Sequence, residues 1–354
     1  MENKLKVIDL FAGVGGMSLG FQNVGFDIKL AIEFDEKIAY SYAENHHKTE
    51  VIVEDVSKIS INEIFQKVGE IDIIIGGPPC QGFSQKGKRL SLNDERNFMF
   101  QSFIDFVKTF QPKYFLLENV PNIITTSKGF FKDEILKSFQ ELGYSIDYKV
   151  LNAANYGVPQ NRKRAFFLGK KGTEIIKLPR EKTEDVSIKD AIYDLPFIES
   201  GQGETFFAYS KKPKSNYQRN MRKSSKGIFN HIATKHSPLA LERLAMIPKG
   251  KGREVLPKEH RTKSIYSGTW TRLKENGKAA TITTRFDTPS SGLFTHPILN
   301  RCLTVREAAR IQSFPDTFIF HGSKTSQMKQ VGNAVPPLLA QAIAEIIYND
   351  TQKL

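Results

Sequence analysis

Cys80 is one of two cysteines in the 354-residue chain, and it stands in the stretch GGPPCQGFSQ, directly after the apolar run IDIIIGG. A cysteine in such a place is a small core filler, a metal ligand or a nucleophile. With Cys302 as the other thiol, the sulfurs are too few and too scattered for a disulfide framework or a zinc cluster, so no metal is expected. Pro78 and Pro79 before it and Gly82 after it describe a stiff strand-to-loop turn, not a core stretch. That setting favours the nucleophile, although a thiol of ordinary pKa, about 8.5, is mostly protonated near neutrality. A later apolar run, KYFLLENV, ends on Glu118, a carboxyl group that pairs naturally with a nucleophile in covalent catalysis with acid assistance. In YGVPQNRKRAFFLG, Arg162 and Arg164 alternate on the approach to a strand and so are expected on one face. Two guanidiniums there suit a base oxygen and a phosphate, or the orientation of Glu118.

A second constellation lies nearer the N-terminus. The segment DLFAGVGGMSLGF carries Gly13, Gly15 and Gly16, which let the backbone turn sharply and approach a ligand. A dinucleotide fingerprint would place a third glycine where Ser18 stands. Glu33 closes the next apolar run, 20 residues after Gly13, where an acid grips ribose hydroxyls. Asp55 ends the run after that, placed to accept from an adenine amino group. Together they point to an adenosine-bearing ligand that need not carry a pyrophosphate, whereas taken singly the two acids read as helix caps.

The elements that must position these residues alternate regularly from residue 5 to 170. LKVIDLF, IKLAIE, EVIVED, IDIIIGG, KYFLLENV, YSIDYKVLNA and RAFFLGK read as strands. Between them lie helical patterns such as DEKIAYSYAENH, NFMFQSFIDFVKTF and FKDEILKSFQELG. The alternation predicts an α/β fold with a doubly wound, mostly parallel sheet, whose ligands bind at the carboxyl ends of the strands. After about residue 175 the pattern dissolves into a smaller, irregular mixed region, in which LALERLAMI reads as a helix and KAATITTRF as a strand. Regular helical spacing returns in TVREAARIQSF and PPLLAQAIAEIIY.

Charge separates the two regions. The chain carries +13, and residues 201–280 hold 18 Lys/Arg against 5 Asp/Glu, which accounts for the whole excess. A segregated basic block argues for a polyanionic partner. No apolar stretch approaches the roughly 18–20 residues of a membrane span, and the charged start MENKLKVIDL argues against a secretory signal. A reducing, cytoplasmic setting is therefore expected.

Over nearly its whole length the sequence resembles the DNA (cytosine-5)-methyltransferases, in particular those of bacterial restriction–modification systems. DLFAGVGG, GGPPCQGFS, ENV, QNRKR, REAARIQSFPD and QVGNAVPP match that family's motifs in order and spacing. The resemblance implies the S-adenosylmethionine-dependent methyltransferase fold, with residues 1–175 and about 310–354 forming the catalytic and cofactor-binding domain. Residues 176–309 would form the target-recognition domain. It implies S-adenosylmethionine as methyl donor, with Phe11 stacking on adenine and Gly13, Gly15, Gly16, Glu33, Asp55, Pro78 and Asn333 forming the pocket. Ala334 stands where some members have a serine, so a hydroxyl contact there is not expected. It further implies a cytosine flipped from double-stranded DNA and attacked by Cys80, with Glu118, Arg162 and Arg164 completing the catalytic set. Gln81, Ser84, Lys86 and Arg89, in the loop after Cys80, would touch DNA. A monomer is expected, with a restriction endonuclease as a functional rather than physical partner.

Overall fold

The computed structural model describes residues 4–79, 98–181, 185–262 and 267–353. By internal contacts the chain divides into two compact units. The first comprises residues 1–152, 163–181 and 337–354, and the second comprises residues 153–162 and 182–336.

The first unit is a seven-stranded sheet. Its elements in chain order are β1 (Lys6–Leu10), α1 (Gly16–Val24), β2 (Asp27–Glu33), α2 (Glu36–Asn45), β3 (Glu50–Val53), α3 (Ile61–Val68) and β4 (Ile73–Gly76). These are followed by α4 (Phe98–Phe110), β5 (Tyr114–Asn119), α5 (Phe130–Glu141) and β6 (Tyr144–Asn152). A two-residue strand, β7 (Gln160–Asn161), belongs to the second unit, and β8 (Lys163–Lys171) completes the large sheet. The spatial order is β3-β2-β1-β4-β5-β8-β6, so the winding reverses between β1 and β4. That is the switch point at which open α/β sheets hold ligands. The expected α/β doubly wound sheet is thus present, and the one strand that breaks its parallel run is β8, antiparallel to both β5 and β6.

The central strands are buried on both faces, which is why they read as continuous Ile/Leu/Val/Phe runs without alternation. Their core includes Ile8, Leu10, Ile32, Ile74, Phe103, Phe115, Leu117 and Phe139. Phe115 and Phe139 stack with centroids 4.0 Å apart. The terminal helix α11 (Pro337–Thr351) returns to this unit. A β-carbon on Gly20 would come within 2.7 Å of the Pro337 carbonyl oxygen, so the glycine lets α1 and α11 approach backbone to backbone. Tyr114 Oη donates to Asp350 at 2.7 Å and fastens the end of that helix to β5.

The second unit has little regular structure. It contains α6 (Ile188–Ile192), β9 (Gly203–Phe207), α7 (Asn216–Arg222), β10 (Ile228–Ile232) and α8 (Pro238–Met246). The two-residue β11 (Ala279–Ala280), α9 (Val305–Ile311) and α10 (Lys324–Asn333) complete it. The strand expected over KAATITTRF reduces to β11, paired only with β7, because the following backbone is engaged by side chains instead. Ile282 N donates to Gln160 Oε1, and the Ile282 carbonyl accepts from Arg162. Residues 310–336, expected with the catalytic region, fall by contacts in this unit, where buried arginines and glutamines tie them down.

Candidate active site

The glycine turn sits at the carboxyl end of β1. Phe11, Gly13 and Gly15 all have positive φ, at 58°, 56° and 88°. Gly13 donates its N–H to Glu33 Oε2 at 2.9 Å, and Asp35 N donates to Glu33 Oε1 at 2.9 Å. Two backbone donors therefore fix the orientation of the buried Glu33 carboxylate at the end of β2. A β-carbon on Gly13 would meet no described atom within 4 Å, whereas one on Gly15 would collide with His46 and Tyr42 of the α2 region. Of the expected glycines, Gly13 thus leaves room beside the turn. Gly15 instead permits close packing against α2, and Gly16 is the buried first residue of α1.

Ser18, in the place of a third glycine, has a definite use. Its hydroxyl donates to Asp9 Oδ2 at 2.6 Å and accepts from Tyr42 Oη at 2.7 Å. Burial pushes the Asp9 carboxyl up to about 7, against the lowering effect of the Ser18 hydrogen bond. This chain of three side chains locks the first turn of α1 to β1 and α2, a task that a glycine could not perform.

Asp55 lies two residues beyond β3 and caps a short 3-10 turn. Its Oδ1 accepts from Ser57 N at 2.9 Å and from Ser57 Oγ at 2.7 Å. The capping role is therefore real, and it leaves Oδ2 without a hydrogen-bond partner among the described residues. Sequence reasoning missed Phe34, which follows Glu33 and is 70% exposed, an unusual position for a phenylalanine. The available signal was an aromatic residue at the carboxyl end of a central strand. The left-handed turn at Gly13, the oriented Glu33 carboxylate, Asp55 and the exposed Phe34 ring together fit an adenosine-bearing methyl donor, and no phosphate cradle is needed for it.

Glu118, expected in the catalytic set, lies near the end of β5 beside the exit of β4. A β-carbon on Gly77 would lie 2.8 Å from Glu118 Oε2, so the exit of β4 runs directly past the carboxyl group. Asn119 Nδ2 donates to the Pro78 carbonyl at 3.0 Å while its Oδ1 accepts from Val120 N at 2.9 Å. The Glu-Asn-Val segment thereby fastens the turn that leads to Cys80. Arg164 Nε lies 2.9 Å from Glu118 Oε1, with both side chains largely shielded from solvent. The antiparallel run of β8 explains that contact, because it sets the first residues of β8 beside the last of β5. A parallel strand would have carried Arg164 to the far edge. Cys80, Gln81, Ser84, Lys86 and Arg89 lie outside the described residues.

The expectation that Arg162 and Arg164 share one face is not met. Arg162 precedes β8, is fully buried in the second unit, and donates to the carbonyls of Ile282 at 3.0 Å, Gly332 at 2.8 Å and Asn333 at 3.3 Å. Gln160 Nε2 donates to Gln312 Oε1 at 2.6 Å, and Gln312 in turn donates to the Val331 carbonyl at 2.7 Å. The QNRKR, IQSFPD and QVGNAV segments are in this way one hydrogen-bonded knot within the second unit. Asn333 ends α10 there, with its carbonyl in the Arg162 clamp.

Comparison with known proteins decides the family. The model of the C-5 cytosine-specific DNA methylases matches residues 5–349. The chain belongs to that family. It is 40% identical to the type II methyltransferase M.DdeI of Desulfomicrobium norvegicum, across 97% of this chain and 88% of that one. It is 38% identical to the type II methyltransferase M1.HphI of Haemophilus parahaemolyticus, across 97% and 86%. A candidate DNA modification methyltransferase encoded within an E. coli prophage superposes with a TM-score of 0.78 at 32% identity, covering 99% of this chain and all of that one. A Spodoptera frugiperda DNMT2 variant shares the fold, with a TM-score of 0.64 at 18% identity, over 98% and 100% of the two chains. The protein is a DNA (cytosine-5)-methyltransferase, of a family that uses S-adenosylmethionine as methyl donor. Among the described residues no helix is long and apolar enough to cross a membrane.

Proposed function

We propose that this methyltransferase modifies carbon 5 of one cytosine in a specific double-stranded DNA sequence, through a covalent Cys80 adduct on a base flipped out of the helix. The observation that carries the reading is the approach of the β4 exit to Glu118. Gly77 lies against that carboxyl group, Asn119 holds the Pro78 carbonyl, and Cys80 follows two residues later in the chain. Carbon 5 of cytosine is too weak a nucleophile to take a methyl group unaided. Addition of the Cys80 thiolate at carbon 6, with a proton supplied towards ring nitrogen 3 by Glu118, converts the ring into an enamine. Carbon 5 then takes the methyl group, and loss of its proton expels Cys80 and restores the aromatic ring. Arg164, at 2.9 Å, orients Glu118. The bound donor supplies the electrophilic methyl. Glu33 would hold its ribose, Asp55 Oδ2 its adenine amino group, and Phe11 and Phe34 the faces of the base. Flipping costs about a few kcal/mol, which contacts to the DNA repay. Arg162, spent on three carbonyls, is assigned a positioning role in the second unit.

The relatives' type II character supports a role in protecting host DNA beside a cognate endonuclease, in the cytoplasm and as a monomer. DNA containing 5-fluorocytosine tests the chemistry, because the blocked elimination should trap a stable protein–DNA adduct. Cys80→Ala should form none, and an adduct persisting in that variant would refute the nucleophile. Sequencing methylated cytosines in DNA from an expressing host should show a single recurrent site. Scattered methylation would sink the claim of sequence specificity.

A further inference from the structure

The basic block of the second unit is not uniform, and the structure sorts its cations. Between residues 210 and 226 there are seven Lys/Arg and no Asp/Glu. Two of the seven are turned to structural use. Lys211 Nζ donates to the Leu195 carbonyl at 3.1 Å and sits 3.6 Å from the Phe197 ring centroid. Arg222 pairs with the buried Asp194 at 2.7 Å, stacks 4.0 Å over Tyr209 and donates to the Lys211 carbonyl at 2.8 Å. That last bond closes the segment into a compact knot, with α7 at its centre. The inward face of α7 is Tyr217, Gln218 and Met221, all buried. Tyr217 Oη donates to the Arg310 carbonyl, and Gln218 Nε2 to the Lys189 carbonyl at 3.2 Å. The outward face is Asn216, Arg219, Asn220 and Lys223, one stripe at helical spacing.

The other five cations, Lys212, Lys214, Arg219, Lys223 and Lys226, are all exposed. None of them forms an ion pair with a carboxylate among the described residues. The basic loop farther along differs in this respect. There Lys249 faces Glu275 at 3.7 Å, and Glu254 and Glu259 are interspersed among the lysines. A protein surface normally mixes its charge signs, so five unneutralised cations on a rigid knot are matched to an anion spread over a comparable length.

We propose that the outward face of α7 with its flanking lysines is the phosphate-gripping surface of the second unit, holding duplex DNA by its backbone and not by its base edges. The proposal rests on double-stranded DNA being the substrate. Backbone contacts give affinity and salt dependence without sequence information, and each neutralised phosphate adds about 0.9 to the slope of log K against log salt.

The test is a variant with Lys212, Lys214, Arg219, Lys223 and Lys226 all changed to glutamine, compared with Lys251→Gln/Lys258→Gln in the other basic loop. Binding of a duplex is measured between 50 and 300 mM salt, alongside the methylation rate at saturating DNA and the sites methylated. The α7 variant should lose about two units or more of salt slope and at least tenfold in affinity, with its saturated rate and its sites unchanged. An unchanged slope, or a slope loss confined to the Lys251/Lys258 variant, overturns the proposal. So does an altered set of methylated sites, which would mean that the face reads bases. Circular dichroism and thermal melting of each variant separate a lost grip from a lost fold. If the parent enzyme methylates no duplex, the underlying substrate reading fails first, and the two failures are distinguishable.

Discussion

The sheet of the first unit is filled with phenylalanine, isoleucine and leucine, while the largest fully buried side chains of the second unit are arginines. Arg162, Arg301, Arg306 and Arg310 are all 0% exposed. In the sheet, neighbouring strands satisfy one another's backbone groups, so the side chains need only be apolar and of the right volume. The second unit has few ladders, and its backbone carbonyls need donors from elsewhere. Arg306 gives one N–H each to the carbonyls of Phe229, Pro315 and Phe318, at 2.9, 3.0 and 2.6 Å. Arg272 serves Ile247, Leu244, His296 and Leu299 in the same way. The guanidinium charge is balanced by a few buried carboxylates. Arg301 is bidentate to Glu307 at 2.8 Å, and Arg310 reaches both Asp316 and Asp194. An irregular domain can thus hold one conformation with few ladders, because planar five-donor side chains clamp its carbonyls among buried apolar residues such as Phe314, Phe318 and Phe320. The price is sensitivity to any loss of a partner.

The contrast can be broken by experiment. The largest effect should come from the first unit's chemistry. Glu118→Gln is expected to lower the methylation rate by about 10²–10⁴-fold while leaving the melting temperature nearly unchanged, as read by single-turnover kinetics and calorimetry. A large loss of stability instead would make Glu118 a framework residue. Next, Arg310→Ala should destabilise the protein by about 3–5 kcal/mol. The buried Asp316 loses its bidentate partner and keeps Arg306 only at 3.7 Å, while Asp194 is left with Arg222 alone among the described residues. Urea denaturation measures this, and a loss below about 1 kcal/mol would undo the clamp argument.

Protonation sharpens the comparison. Asp9, in the first unit, is raised to about 7 by burial, so its contribution is complete below the unfolded carboxyl value and is lost as pH rises towards 7. His296, in the second, is lowered to about 4 by burial, so stability is lost as pH falls from about 6.5 towards 4. His46, lowered to about 4 in the first unit, shares the histidine sign. Asp9→Asn should therefore improve stability at pH 7 relative to pH 5 by about 2 kcal/mol compared with the parent. Denaturation at the two pH values checks it, and an unchanged difference would place the Asp9 carboxyl at its ordinary value. The smallest effect should be Ile74→Val in the sheet core, about 0.5–1.5 kcal/mol. A cost approaching that of Arg310→Ala would show the apolar core to be no more tolerant than the clamped one.

Much of the first unit was legible in the chain itself. Continuous apolar runs separated by helical spacing are the direct consequence of strands buried on both faces, and the chemistry-bearing residues followed those runs. Glu33 and Glu118 could be assigned to strand ends for that reason. The second unit was legible only as irregular and basic, since side-chain clamps have no period. The sequence could mark Arg306 and Arg310 as parts of a motif, but a buried arginine and an exposed one look alike until the carbonyls around them are in place.

What the sequence alone determined is therefore the sheet, the strand ends at which Glu33 and Glu118 stand, and the family. Each of these depends on local periodicity or on contiguous residues. Tertiary structure alone decided that β8 runs antiparallel and so delivers Arg164 to Glu118, while Arg162, two residues earlier, is drawn into a different unit. It alone decided that Ser18 ties Asp9 to Tyr42, and that α7 turns five of its segment's cations outward. In each case the partners are brought together by chain folding, and a hydrogen bond spanning 170 positions, as from Arg162 to Gly332, leaves no mark in the spacing of either segment.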